Sequence, residues 1–240
     1  MRSTAMLTAA LAPAAAVALS FGVAAPALAA PAAGDTTISS GMEIRRPTSI
    51  ITEAKCTLGA VGSASRAYTA GHCGKRGEKI YTVKGDEIGT ITSNLIGRNA
   101  DIAVITLKPG LRVKVDNIDW SSSVSNGTAV SKSGATTGTT RGTVVQAQPK
   151  LIQAVECPLP GPAALACAVA PPSLLVNQST YVVESTFRSE SGDSGAGVRR
   201  AGGPIIGIVS SKAIGATDSK DRPLQRSYYT PLSRVPGNLR

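Results

Sequence analysis

The stretch Ser189-Glu190-Ser191-Gly192-Asp193-Ser194-Gly195-Ala196-Gly197 sets a hydroxyl between two glycines, with a carboxylate beside it and an apolar run after it. A serine hydroxyl is a weak nucleophile at neutral pH unless a base takes its proton, so a nucleophilic Ser194 requires a histidine. The chain has one, His72, within Thr69-Ala70-Gly71-His72-Cys73. An imidazole that shuttles a proton is held in one tautomer by a carboxylate on its other nitrogen. Asp101 opens the apolar run Asp101-Ile102-Ala103-Val104-Ile105 between the two, so the order along the chain is His, Asp, Ser. This order restricts the fold severely. Folds whose histidine follows the serine are excluded, because nothing after Ser194 fills that role, and folds with the aspartate first are left only with Asp35.

Thr69-Ala70-Gly71-His72-Cys73, Asp101-Ile102-Ala103 and Gly192-Asp193-Ser194-Gly195 together resemble the chymotrypsin-like serine peptidases. The run Gly134-Ala135-Thr136-Thr137-Gly138-Thr139-Thr140-Arg141-Gly142-Thr143-Val144 is similar to the glycine-threonine hairpin of the short bacterial branch, the streptogrisin and α-lytic type. The resemblance covers residue 50 to the C-terminus. It implies an all-β chain of two packed six-stranded antiparallel β-barrels with the catalytic cleft between them. The expected boundaries are a peptidase domain over 49–240, with barrel one at about 49–110 and barrel two at about 127–234.

Composition agrees with many short strands joined by tight turns: aromatics make up 3% of 240 residues, and glycine, serine, threonine and valine carry much of the rest. The alternating runs Lys79–Lys84 and Glu87–Ser93 flank a Gly85-Asp86 turn, and Asp101–Leu107 reads as a buried strand. Barrel-two strands are expected at 128–131, 141–148, 151–156, 181–186, 197–199, 205–210 and 226–230. Val235-Pro236-Gly237 argues against a long final helix.

Residues 1–29 combine Arg2, an apolar Ala/Leu/Val run and Ala27-Leu28-Ala29, the pattern of a secretory signal peptide with a small-residue cleavage site. Residues 30–48 are small, polar and proline-bearing, as in a flexible segment or short propeptide. The mature protein is therefore expected outside the cell, monomeric, and not inserted in a membrane. The formal charge of +10 permits anionic partners, but the lysines and arginines are spread along the chain without interleaved aromatics, so nucleic-acid binding is not expected.

Export makes disulfides the expected state of the four cysteines. Of three possible pairings the sequence-local one is chosen, Cys56 with Cys73 and Cys157 with Cys167. The first closes a loop around His72 and is worth about 3 kcal/mol on the chain-entropy estimate. No Cys-x-x-Cys is present, and neither a metal nor a cofactor is expected.

The resemblance implies a role for each site residue. His72 is base then acid, Asp101 orients it, Ser194 forms the acyl-enzyme, and the amides of Gly192 and Ser194 form the oxyanion hole. Asp193 forms a buried ion pair that holds the oxyanion loop, with Lys132 as its partner and Arg141 as the alternative. Ser210 lies beside the triad aspartate on a strand that pairs with substrate. Arg188 and Lys212 border the first specificity pocket, where a basic substrate side chain would meet like charge. The family's glutamate-specific members use a pocket histidine, which this chain lacks, so a small or apolar side chain is expected there. The substrate is a protein or peptide. The competing reading keeps the fold and loses turnover, leaving a protein that binds a protein or cell-envelope ligand in the cleft; Lys212 and Ala196, where the family has glycine, motivate it.

Overall fold

The computed structural model describes residues 36–47, 53–156, 176–212, 220 and 224–240. The expected signal peptide and the expected Cys157–Cys167 pair lie outside the described residues. No α-helix occurs among those described.

The first sheet is built from β1 (Glu43–Pro47), β2 (Glu53–Thr57), β3 (Ala60–Ser63), β4 (Arg66–Thr69), β5 (Lys79–Tyr81), β6 (Glu87–Asn94) and β7 (Ala103–Leu107). Its order is β2-β1-β5-β6-β7-β4-β3, antiparallel throughout. The strands at its two ends, β2 and β3, are separated in the chain only by Leu58 and Gly59. The Leu58 N–H donates to the Met42 carbonyl at 2.9 Å and the Gly59 N–H to the Tyr68 carbonyl at 2.8 Å. These two bonds curl the sheet back on itself. The second sheet is a closed six-stranded barrel of β8 (Ala129–Gly134), β9 (Gly138–Glu156), β10 (Val176–Ser185), β11 (Gly197–Arg200), β12 (Ile205–Lys212) and β13 (Ser227–Pro231), in the order β10-β13-β12-β11-β8-β9.

Strand periodicity explains the burial. Along β8 the side chains of Val130 and Lys132 turn inward and Gly134 is buried, while Ala129 and Ser133 are exposed. Barrel one fills with Ile44, Leu58, Val61, Tyr68, Ile80, Ile88, Ile91 and Ile105, barrel two with Val130, Val144, Val183, Phe187, Val198, Ile206 and Tyr229. Branched aliphatic side chains make up most of both interiors, joined by the rings of Tyr68, Phe187 and Tyr229. Trp120, on the connection between the barrels, meets Tyr68 edge to face at 5.4 Å.

Two expectations need correction. Residues 30–48 do not form a flexible segment throughout, since Glu43–Pro47 pairs with all of β2 and Ile38 and Ile44 are each 1% exposed. The separate strands expected at 141–148 and 151–156 are one strand, β9, running through Pro149. Proline is tolerated because the register jumps there, from Lys150 opposite Val182 to Gln146 opposite Glu184, leaving Pro149 in a bulge without a ladder partner.

Candidate active site

His72 lies in a 3₁₀ turn, Gly71–Cys73, immediately after β4. Three constraints hold that turn. Cys73 is bonded to Cys56 of β2 with their Cα atoms 6.1 Å apart. Asn94 Nδ2 donates to the Gly71 and Gly74 carbonyls, both at 2.7 Å. Arg46 Nε donates to the Cys73 carbonyl at 3.0 Å. The sulfurs of Cys56 and Cys73 come within 4.8 Å of the imidazole, but they are spent on each other and offer no thiolate to a metal.

Asp101 stands two residues before β7 and is 4% exposed. Its Oδ2 pairs with His72 Nδ1 at 2.8 Å, and its Oδ1 accepts from the His72 backbone N–H at 2.9 Å. Ser210 Oγ of β12 donates to Oδ2 at 2.6 Å. The Asp101 N–H donates to Thr180 Oγ1 of β10 at 3.0 Å, and Thr180 in turn lies 3.2 Å from Thr230 Oγ1. Burial opposes ionisation of this carboxylate, but the His72 charge and these donors outweigh it and hold its pKa below the ordinary aspartate value.

Ser194 follows a turn in which Asp193 N donates to the Glu190 carbonyl at 2.9 Å. The turn is pinned from barrel one by Thr57. Its N–H donates to the Ser194 carbonyl and its hydroxyl to the Gly192 carbonyl, each at 2.8 Å. The same hydroxyl accepts from the Ala135 N–H at 3.0 Å. Cys73 Sγ is 3.8 Å from the Ser194 carbonyl, so the nucleophile turn and the histidine turn adjoin. Gly192 has φ +95°, a conformation costly for any side chain, and among the described residues neither its amide nor that of Ser194 donates to another protein group.

Asp193 is fully buried and takes five donors. Lys132 Nζ reaches Oδ2 at 3.0 Å, Thr137 Oγ1 at 2.6 Å and the Glu190 N–H at 3.0 Å; the Thr136 and Thr137 N–H groups reach Oδ1 at 2.9 and 3.0 Å. Burial raises the pKa of this carboxylate, yet the Thr137 hydroxyl and the backbone donors bring it down to about 2. Burial lowers the Lys132 ammonium below the usual lysine range against the pull of Asp193. Asp193 and Lys132 form one buried pair. We assign it as ionised, because Lys132 also donates to Thr137 Oγ1 and to the Gly138 carbonyl, a shell made for an ammonium. Arg141, the alternative partner, is exposed on β9.

At the edge of the site Arg188 is 60% and Lys212 47% exposed in their side chains, and both face Glu190, which the sequence did not single out. Thr57, Thr136, Thr137 and Thr180 were likewise missed. Threonines are common in strands, and only the paired strands reveal which of them face a carboxylate. Ala196 directs its methyl into the barrel-two core, where it is 0% exposed, and its backbone still bonds with Asp193 and Val209.

The trypsin family model matches residues 33–235. Among curated protein sequences there is no match. Solved structures of similar fold include Thermobifida fusca protease A, 18% identical with a TM-score of 0.59, covering 83% of this chain and 94% of that one. The Nocardiopsis protease is 17% identical with a TM-score of 0.60, covering 85% and 97%, and Cellulomonas bogoriensis chymotrypsin is 18% identical with a TM-score of 0.54, covering 83% and 94%. A family match over most of the chain, on two packed sheets of this topology, means that the chain belongs to the trypsin family, the chymotrypsin-like serine peptidases.

Proposed function

We propose that this protein is a secreted serine endopeptidase that cleaves peptide bonds through an acyl-enzyme. The observation that carries the reading is the pair of hydrogen bonds from His72, side chain and backbone, to the two oxygens of one buried, ionised Asp101. An imidazole so held has its Nδ1 proton fixed and presents Nε2 as the base. Ser194 Oγ attacks the substrate carbonyl carbon as His72 Nε2 takes its proton, and the oxyanion meets the Gly192 and Ser194 amides. His72 then gives the proton to the leaving amine, the C–N bond breaks, and water attacks the acyl-enzyme by the same relay. Each oxyanion donor is worth roughly 3 to 4 kcal/mol in comparable enzymes. Secretion is supported by the Cys56–Cys73 disulfide, a bond that persists in oxidising compartments. Among the described residues no helix is long and apolar enough to cross a membrane.

Covalent labelling with a fluorophosphonate, read by intact mass, tests the reading. One adduct per chain is expected, lost in Ser194→Ala and His72→Ala. A folded, disulfide-bonded sample that stays unlabelled would overturn it and favour the binding protein without turnover.

A further inference from the structure

The nucleophile turn carries one acidic side chain whose neighbours are both cations. Glu190 Oε2 accepts from Lys212 Nζ at 2.5 Å, and Oε1 lies 3.5 Å from Arg188 Nε. Its backbone is fixed, the N–H donating to Asp193 Oδ2 and the carbonyl accepting from the Asp193 N–H. Lys212 stands two residues beyond Ser210, whose hydroxyl touches Asp101. The cluster therefore runs from the turn that carries Ser194 to the strand that backs the triad, beside the place where a scissile carbonyl is attacked.

Two cations on one carboxylate leave a surplus of one positive charge. Both side chains remain about half exposed, which leaves N–H groups not used on Glu190 open to solvent. Behind them the turn is held by hydroxyls: Ser189 and Ser227 Oγ are 2.7 Å apart, and Ser227 Oγ donates to the Phe187 carbonyl at 2.8 Å. Two residues further on the same face of β13 stands Tyr229, its ring 6.4 Å from that of Phe187. Its hydroxyl is the one buried side-chain polar atom among the described residues without a hydrogen-bond partner. An orphaned buried hydroxyl is expensive enough to need a reason. Ammonium, guanidinium and phenol are all able to donate, and the first two are acceptor-free.

We infer that this wall of the cleft selects substrates whose residue on the acyl side of the scissile bond carries a carboxylate, and rejects lysine and arginine there. The inference rests on the peptidase reading and names its substrate class. It departs from the small or apolar side chain expected from sequence, because that expectation weighed Arg188 and Lys212 only as repulsive to a base. Glu190 holds the two cations together and thereby makes them a receptor for an anion.

The test uses three peptides that differ only at that residue, as glutamate, alanine or lysine. In the purified protein kcat/KM is expected to fall in that order, with glutamate over lysine by at least about tenfold and the gap narrowing in about 1 M salt. Lys212→Glu and Arg188→Glu should each shrink the glutamate-to-lysine ratio, the first by about tenfold. Ratios taken within one variant cancel any general loss of active enzyme. Lysine or alanine peptides cut as fast as glutamate, or ratios indifferent to both charge reversals, would overturn the inference. Fluorophosphonate labelling of the same samples separates the two levels: labelled protein without the preference refutes the specificity alone, whereas unlabelled protein refutes the peptidase reading beneath it.

Discussion

Two buried carboxylates serve the site in different ways, and their partners show how. Asp101 gives its oxygens to His72 and Ser210 and its amide to Thr180, so it is tied to barrel one and barrel two at once. Replacing Thr180 with valine keeps the shape and strands the Asp101 N–H in a buried site. The expected result is a loss of about 1 to 3 kcal/mol in urea unfolding and a lowered kcat, both largely restored by serine. Among the described residues Asp193 makes no hydrogen bond to the side chains of His72, Asp101 or Ser194, and it holds the Ser194 turn instead. Lys132→Met leaves its charge buried with only uncharged donors, at a cost of about 3 to 5 kcal/mol, and fluorophosphonate labelling should slow by two orders of magnitude or more. An unchanged labelling rate would show that the threonine donors suffice. The single histidine, the aspartate opening an apolar run and the serine between glycines stood out because each lies in a motif with a chemical purpose, and the lysine two places before Gly134 stood out only through the resemblance to the bacterial hairpin. Thr57 and Thr180 did not, since nothing local distinguishes them from other threonines until the barrels are packed.

At the scale of elements, the hairpin β8–β9 exists to seat Asp193. A Cβ at Gly134 would stand 2.4 Å from Asp193 Oδ1, which is why a glycine closes β8 where the tight turn brings the Thr136 and Thr137 amides to the carboxylate. This motif was legible through its resemblance to the glycine-threonine hairpin of the short bacterial branch. Strand β1 was not. Its sequence, Glu-Ile-Arg-Arg-Pro, offers one apolar residue in a polar stretch, and a five-residue strand with one buried side chain carries almost no periodic signal. Tertiary pairing supplies what the local sequence lacks: Ile38 exchanges backbone bonds with Arg112 and Lys114, and Arg46 is drawn in by Glu78 and the Cys73 carbonyl. Shortening the chain through Pro47 should therefore expose the β2 and β5 edges, uncover Ile80 and abolish the cooperative thermal transition. A shortened protein that melts like the full chain would show that β1 is dispensable to barrel one.

Across the whole molecule, the proposed site is a seam between two barrels, each contributing half. Barrel one supplies His72 and Asp101 and, through Thr57, clamps the turn of Ser194; barrel two supplies Ser194 and closes over Asp101 with Ser210 and Thr180. Acid should loosen the Ser194 turn through Asp193, and the seam through Asp101, before it dissolves either core. Asp193 has a folded pKa of about 2, below its ordinary 3.8, so the stability it contributes is fully present above pH 3.8 and is lost as pH falls through about 2. That shift is worth about 2 kcal/mol. Asp101 is displaced in the same direction and adds to the same trend. Unfolding free energy measured by urea should accordingly decline steeply between about pH 4 and pH 2. In Asp193→Asn the slope should flatten while overall stability drops, because the amide cannot titrate yet leaves Lys132 without its counter-ion. The disulfide and both apolar cores do not titrate in this range, so sheet structure seen by far-UV circular dichroism should outlast hydrogen-exchange protection of the Thr57 and Asp101 amides, which bond across the seam. Coincident loss of both signals would mean that the barrels do not separate as units, and that the seam is no weaker than what it joins.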